Sequence, residues 1–221
     1  MFTSDFKTQP YWWDIAPRQD PDTTVLPKSA DVVIVGSGYT GLHAAVQTAR
    51  AGLSTLVIDA EAAGFGASSR NGGQISPSVK PGFAKLSDRY GATMAREILH
   101  EAQASLDYIK QFVADEAIEC HFKVPGRFHA AHTARHYDAL AREADDTTAV
   151  LQQDAYVVPR ADQHYELGTD VYHGGVVFPH HASLNPALYH QGLLAVARAS
   201  GVQVVSHCPV TAIDRSPKGF D

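Results

Sequence analysis

Only two cysteines, Cys120 and Cys208, occur in the 221 residues, far apart and outside any Cys-x-x-Cys or zinc spacing. That scarcity excludes a disulfide framework and a cysteine-based metal site, and it suits a cytoplasmic protein with reduced thiols. No apolar run is long enough to span a bilayer. The start, Met1-Phe-Thr-Ser-Asp-Phe-Lys7, lacks the basic beginning and apolar core of a signal peptide. Positive charge is in short supply: 18 Lys and Arg stand against 24 Asp and Glu, for a formal charge of −6 at pH 7. With no basic run to neutralise a phosphate backbone, nucleic acid is not an expected partner. Low-complexity tracts and internal repeats are also missing. What is left, 44% hydrophobic and 19% charged, is the composition of an ordinary globular protein. Such a chain can bury one large core or two modest ones.

The densest signal is Asp31-Val-Val-Ile-Val-Gly-Ser-Gly-Tyr-Thr-Gly41. Val32 to Val35 read as a strand buried on both faces, and an alanine-rich helix is expected from Tyr39 to Ala51. Between them stands Gly36-x-Gly38-x-x-Gly41, the dinucleotide fingerprint in its proper setting. Gly36 permits the tight turn, Gly38 lets backbone approach a pyrophosphate, and Gly41 lets the helix pack on the strand. The helix N-terminus then offers amides and a positive dipole end to the phosphates. Gly52 sits where a helix C′ glycine belongs. Ser54 to Ile58 read as a second buried strand ending in Asp59. That acid stands near the distance of about 20 residues from the fingerprint at which a carboxylate accepts from ribose hydroxyls. It would repel a 2′-phosphate, which disfavours NADP.

Simple NAD domains enter a crossover helix at this point. This chain instead runs through the small-residue loop Gly64 to Gly73, containing Gly66-Ala-Ser-Ser-Arg-Asn-Gly-Gly73. Fingerprint, strand-end acid and this loop together resemble the FAD-dependent amine and amino-acid oxidoreductases of the D-amino-acid oxidase type. Glycine, sarcosine and γ-glutamylputrescine oxidases belong to that family. The Trp12-Trp13-Asp14 stretch and the Arg70-Asn71-Gly72-Gly73 form are most similar to the γ-glutamylputrescine oxidase branch. The resemblance implies an α/β, α+β overall, architecture: a Rossmann-like FAD-binding domain with an inserted antiparallel substrate domain. It implies that Gly36, Ser37, Gly38, Thr40 and Gly41 face the FAD pyrophosphate, and that Asp59 with Ala60 meets the adenosine ribose. Gly66, Ala67 and Ser68 would complete the phosphate site. Arg70, Asn71, Gly72, Gly73 and Gln74 would run toward the isoalloxazine ring, with Arg70 and Gln74 nearest it. Val210, in Pro209-Val-Thr-Ala-Ile213, would lie against the adenine through its backbone. Some relatives bind FAD covalently through a histidine at the Arg70 position; arginine does not form that bond, so non-covalent FAD is expected.

Elsewhere the pattern sets out four stretches: an arm over 1–30, FAD-binding βαβ plus second glycine loop over 31–81, substrate-domain helices and strands over 82–182, and a return to the FAD domain over 183–221. The arm holds Pro10, Pro17, Pro21 and Pro27, a density that disfavours regular structure. Its Tyr11-Trp12-Trp13 cluster is too apolar for water and is read as surface packing. Residues 82–118 read as one helix with a core stripe of Met94, Ile98, Ala102, Leu106, Ile109 and Val113. Short strands are expected over 120–124, 128–131 and 172–178, the last bent at Gly174-Gly175, with a helix over 133–150. Asn185-Pro186 opens a further helix with Leu188, Leu193, Leu194 and Ala197 on its apolar face. Gly201 ends that helix, and strands are expected over 202–205 and 210–213. Twelve histidines are present, but a metal site on His129, His132 and His136 would need a helix starting at His129, where Phe128-His-Ala-Ala131 looks extended, and no carboxylates join them, so no metal is expected. His180 and His181 match no motif.

A strand over 210–213 entering the turn Ser216-Pro-Lys-Gly219 calls for a return strand, yet the sequence stops at Asp221. With the family's greater length, this predicts the N-terminal part of an enzyme, a truncated chain whose other half a separate chain could supply. The expected reaction, implied by the resemblance, is oxidation of a CH–NH bond: hydride to flavin N5, then hydrolysis of the imine. No catalytic residue is named. Two other readings stay open: a non-catalytic remnant acting as a dinucleotide-binding module, and an NAD-dependent dehydrogenase, against which the Gly64–Gly73 loop argues.

Overall fold

A computed structural model of the chain describes residues 3–18, 25–151, 154–217 and 219–220, and every count below is of these. Pro21 of the arm and Lys218 of the final turn lie outside them. In chain order come α1 (Trp12–Ile15), β1 (Val32–Val35), α2 (Tyr39–Arg50), β2 (Thr55–Ile58), a 3-10 turn (Ala67–Ser69) and β3 (Gln74–Ile75). Next are α3 (Phe83–Tyr90), α4 (Ala92–Asp115), β4 (Arg127–Ala130), α5 (Ala134–Leu151), β5 (Tyr156–Val158) and α6 (Gln163–Leu167). The last are β6 (Gly175–Phe178), β7 (Ala182–Ser183), α7 (Pro186–Ala199), β8 (Gln203–Val205), β9 (Arg215–Ser216) and β10 (Gly219–Phe220). Two units are formed: unit 1 is Met1–Gly72, Glu116–Cys120 and Asn185–Asp221, and unit 2 is Gly73–Asp115 with His121–Leu184.

Unit 1 is built on a parallel sheet in the order β1-β2-β8. Ile34, Val57 and Val204 share one face by register; α2 packs against β1 and β2, and α7 packs on α2, with Leu42, Ala45, Val46, Leu193 and Ala197 all nearly fully buried. On the opposite face Leu56, Ile58 and Val205 form a second cluster with Ala30 and Cys208. α7 starts where its sequence says: Pro186 occupies the first turn, and the Asn185 side chain accepts from the amides of Ala187 and Leu188. Glu116 pairs with Arg50 at 2.7 Å, and Ile118 fills the space beside Gly192 on α7.

Unit 2 carries an antiparallel sheet in the order β4-β6-β5. α5 covers one side, with Leu140 and Ala144 against Val176 and Ala131. α3 and α4 pack on each other through Leu86, Ala95 and Leu99, and β3 pairs with β7.

Several expectations need correction. β1 is not buried on both faces: Val33 and Val35 are 53% and 59% exposed, because β1 is an edge strand and α2 covers only its Ile34 side. The helix over 82–118 is two helices, since Gly91 adopts φ +84, a conformation an α-helix does not contain. Its buried residues are Ala95, Leu99, Leu106, Phe112 and Val113: Leu106 and Val113 are as expected, but in the first turns Ala95 and Leu99 take the places expected of Met94 and Ile98, and Met94 is exposed. Residues 120–124 form no strand, only a bridge from Lys123 to Ser183. β6 begins at Gly175, so Tyr172 to Gly174 lie before it. Residues 210–213 are coil, and the hairpin lies further on, pairing β9 with β10. The arm includes the short helix α1 despite its prolines.

Candidate nucleotide site

The turn between β1 and α2 depends on its glycines for distinct reasons. Gly36 stands at φ +96, where an L side chain is strained. A Cβ on Gly41 would collide with the Gly36 carbonyl oxygen and stand 3.2 Å from Ile34 Cγ2, so helix and turn approach this closely only without it. Gly38 is the N-cap of α2 and, having no side chain, caps nothing itself. The Tyr39 amide instead donates to Ser68 Oγ at 3.1 Å, bringing the second glycine loop to the helix start. Thr40 is exposed, and space is open where a Cβ would stand on Gly36 or Gly66. The remaining first-turn amides, those of Thr40 and Gly41, have no capping side chain and, bordered by glycines, form a cradle that accepts an anion.

Ser37 is fully buried and faces inward. Its amide and hydroxyl both donate to Asp59 Oδ2, at 2.8 and 2.5 Å, while the Glu61 amide donates to Oδ1 at 3.0 Å. Burial works to raise the Asp59 pKa, but the hydrogen bonds from Ser37 and Glu61 outweigh it and hold the carboxyl below its ordinary range. Oδ2 is thereby filled, and Oδ1 keeps one lone pair. The Gly64 amide donates to Ser37 Oγ at 3.3 Å, and the Gly64 carbonyl accepts from Ser69 Oγ at 2.5 Å. Trp13 Nε1 donates to Ser69 Oγ at 2.9 Å, and Trp12 Nε1 to the Asn71 carbonyl at 2.8 Å. A continuous chain of hydrogen bonds thus joins the arm to Asp59.

His190, on α7, locks the same region from below. Its Nε2–H donates to the Ser37 carbonyl at 2.7 Å, and its ring lies against Gly64, where a Cβ would stand 2.5 Å from Cε1. Burial pushes its pKa down, against the opposing effect of the Ser37 carbonyl and Asp59, so the ring is neutral. Tyr39 donates through its hydroxyl to the Pro186 carbonyl, and burial pushes its pKa up to about 12. Neither group is placed to gain or lose a proton readily near neutral pH.

Of the residues expected to contact cofactor, Gly36, Ser37, Gly38, Thr40, Gly41, Asp59, Ala60, Gly66, Ala67, Ser68, Arg70, Asn71, Gly72 and Val210 lie in unit 1, while Gly73 and Gln74 lie in unit 2. The Arg70 guanidinium lies over Phe65 and Trp13, at 4.1 and 4.8 Å from their ring centroids. Val210 is two residues past Cys208, whose amide donates to the Asp59 carbonyl. Sequence reasoning missed Trp13, Ser69 and His190. The two adjacent tryptophans offered a signal, and His190, inside an apolar helix face, offered none. Among the described residues no group of three or more His, Cys, Asp or Glu is placed to hold a metal, and no helix is long and apolar enough to cross a membrane.

Residues 31–220 match the family described as "FAD dependent oxidoreductase", abbreviated DAO. "Probable oxidoreductase OrdL" of Haemophilus influenzae is 28% identical over 181 residues, covering 82% of this chain and 42% of that protein. "Gamma-glutamylputrescine oxidoreductase" of Escherichia coli is 26% identical over 188 residues, covering 85% and 44%. The chain therefore spans less than half the length of these relatives. Among solved structures, glycine oxidase from Geobacillus kaustophilus superposes with a TM-score of 0.75 at 16% identity, over 86% of this chain and 50% of that one. L-α-glycerophosphate oxidase from Mycoplasma pneumoniae, solved with FAD bound, gives 0.70 at 16% identity, over 88% and 49%.

Proposed function

This chain belongs to the family of FAD-dependent oxidoreductases, and from that premise we propose that unit 1 holds the adenosine and pyrophosphate half of FAD for oxidation of an amine or amino acid. The observation that carries the reading is the cradle at the start of α2, with Gly41 pressed on Gly36 and open space around Gly36 and Gly66. The residues fit the group. The amides at Thr40 and Gly41 face the pyrophosphate, Ser68 ties the second loop to it, and Ala67 and Ala60 leave room beside it. Asp59 accepts one ribose hydroxyl on Oδ1 directly, and takes a second only if Ser37 or Glu61 gives up its bond. Val210 lies toward the adenine.

Bound FAD supplies the hydride acceptor for breaking a C–H bond next to nitrogen. The chain's own residues bind and orient it. Arg70, stacked on Phe65 and Trp13, holds the second glycine loop in shape, while Asn71, Gly72, Gly73 and Gln74 carry the backbone onward toward the ring. Without a histidine at position 70, the flavin is held non-covalently. The relative named for γ-glutamylputrescine supports an amine substrate, and the fold relatives named for glycine and other amino acids support an amino acid.

The test is a visible spectrum of the purified chain, with and without added FAD, followed by acid precipitation. A yellow protein that releases FAD into the supernatant supports the reading, and flavin left in the pellet refutes non-covalent binding. A second reading rests on the exposed Val33 and Val35 side of β1: the 221 residues bind the nucleotide without catalysing, and turnover requires further polypeptide against that strand. Flavin that binds yet is not reduced by any amine or amino acid supports this second reading.

A further inference from the structure

The hydrogen bonds already made by Asp59 limit how it can read a ribose. A carboxylate offers about four acceptor positions. Among the described residues three are taken: Oδ2 accepts from the Ser37 amide at 2.8 Å and the Ser37 hydroxyl at 2.5 Å, and Oδ1 from the Glu61 amide at 3.0 Å. Two of these donors are backbone amides, which any residue at those positions supplies. The third is a side chain. Glycine or alanine between Gly36 and Gly38 would leave that position on Oδ2 open.

The Ser37 hydroxyl is poorly able to yield. Ser37 is 0% exposed, so its hydroxyl has no water to turn to. Its oxygen accepts from the Gly64 amide at 3.3 Å while its hydrogen goes to Asp59, which ties the hydroxyl to both loops. Its carbonyl accepts from His190 Nε2 at 2.7 Å, which anchors the residue from α7. Turning the hydroxyl off Asp59 would leave a buried donor unpaired, a cost that offsets what a ribose hydroxyl gains there. A ribose hydroxyl left out keeps its water. Asp59 itself is only partly buried, and Oδ1 has one position left.

We infer that Ser37 makes Asp59 a reader of a single hydroxyl: the site bonds one of the two adenosine ribose hydroxyls through Oδ1 and is indifferent to loss of the other. Ser37 is then a specificity-determining residue that touches no ligand and acts through Asp59. The inference rests on the reading of unit 1 as the adenosine half of the FAD site. It adds the class of ligand which that half accepts, adenine nucleotides lacking one particular ribose hydroxyl as well as the complete ribose.

The test competes ADP, 2′-deoxy-ADP and 3′-deoxy-ADP against FAD on the full chain, read by flavin fluorescence. In the wild type one deoxy analogue should displace FAD within about threefold of ADP. The other should be weaker by about tenfold or more, the loss expected for one hydrogen bond to a charged acceptor. Ser37→Ala keeps the amide bond to Oδ2 and opens the position beside it, so both analogues should then fall at least about fivefold behind ADP. Ser37→Cys, whose thiol is a weak donor, should shift the ratios the same way should the alanine variant not fold. A residue that only supported the fold would weaken all three nucleotides in proportion and leave their ratios unchanged. The proposal is overturned if both analogues match ADP in the wild type, if both fall tenfold behind it, or if the variants keep the wild-type ratios. FAD that does not bind, or that ADP does not displace, overturns the reading of unit 1 and this inference with it, so the two failures are told apart.

Discussion

Replacing Gly41 by alanine isolates the packing on which the nucleotide cradle depends. The added Cβ would run into the Gly36 carbonyl oxygen and stand 3.2 Å from Ile34 Cγ2 and 3.3 Å from the Gly36 carbonyl carbon. Two of those atoms are backbone, so relief requires moving the turn or the helix. Overpacking of this kind costs about 1–3 kcal/mol, and contact with backbone argues for the upper end. Alanine's better helix propensity returns about 1 kcal/mol, leaving a net loss of about 2 kcal/mol. For a chain of this size that lowers Tm by about 4–8 °C, read by far-UV circular dichroism. Gly66→Ala is the matched control, because nothing lies within 4 Å of its Cβ position and its φ of −73 suits any residue. That variant should melt within about 1 °C of the wild type, as surface changes do. FAD affinity should fall with Gly41→Ala in step with the displaced turn. Equal melting of the two variants would mean that the contacts at Gly41 do not hold the turn.

Asp59→Asn should flatten the acid limb of stability. The carboxyl's folded pKa lies below its unfolded value, so its contribution is complete above about 4 and drains as pH falls through the folded pKa. Urea midpoints measured against pH check it, and an unchanged acid limb counts against the Ser37–Asp59 bonds. Buried His181 and His190 act in a higher window: their folded values lie below the unfolded value of about 6.5, so stability is full above it and falls as pH drops below it. For His181, held at about 4, the loss is at most about 3 kcal/mol, and His181→Phe, which keeps the stack on Phe178, should remove much of that slope in the same titration. Trp13→Ala removes the bond to Ser69 and the surface under Arg18 and Arg70. For a half-buried indole this should cost about 1–3 kcal/mol, expose the arm to limited proteolysis and weaken FAD binding; unchanged proteolysis would mean the arm is not held by this contact.

What the sequence revealed came from short-range patterns with a steric cause. Gly36, Gly38 and Gly41 placed the turn, Asp59 marked the end of β2, and Asn185-Pro186 opened α7, because each acts within a few residues of itself. The glycine-rich loop after β2 pointed to FAD only through family resemblance. What was missed depends on partners distant in sequence. Four β-branched residues in a row suggested a strand covered on both sides, but whether Val33 and Val35 are covered depends on what packs there. Gly91 sat inside an unbroken helical periodicity, and only its φ shows the break. His190 meets Ser37 across more than 150 residues, and Trp13 reaches Ser69 from the arm, so neither left a periodic trace.

The central claim is that unit 1 recognises FAD through its adenosine diphosphate half. Equilibrium binding of FAD, FMN and ADP-ribose to the purified chain tests it most directly, with flavin fluorescence as the readout for the two flavins and displacement for ADP-ribose. FAD should bind, ADP-ribose should displace it, FMN should bind at least tenfold more weakly, and Gly41→Ala should weaken FAD binding. FMN binding as tightly as FAD, or FAD binding unaffected by both ADP-ribose and the Gly41 substitution, would contradict it.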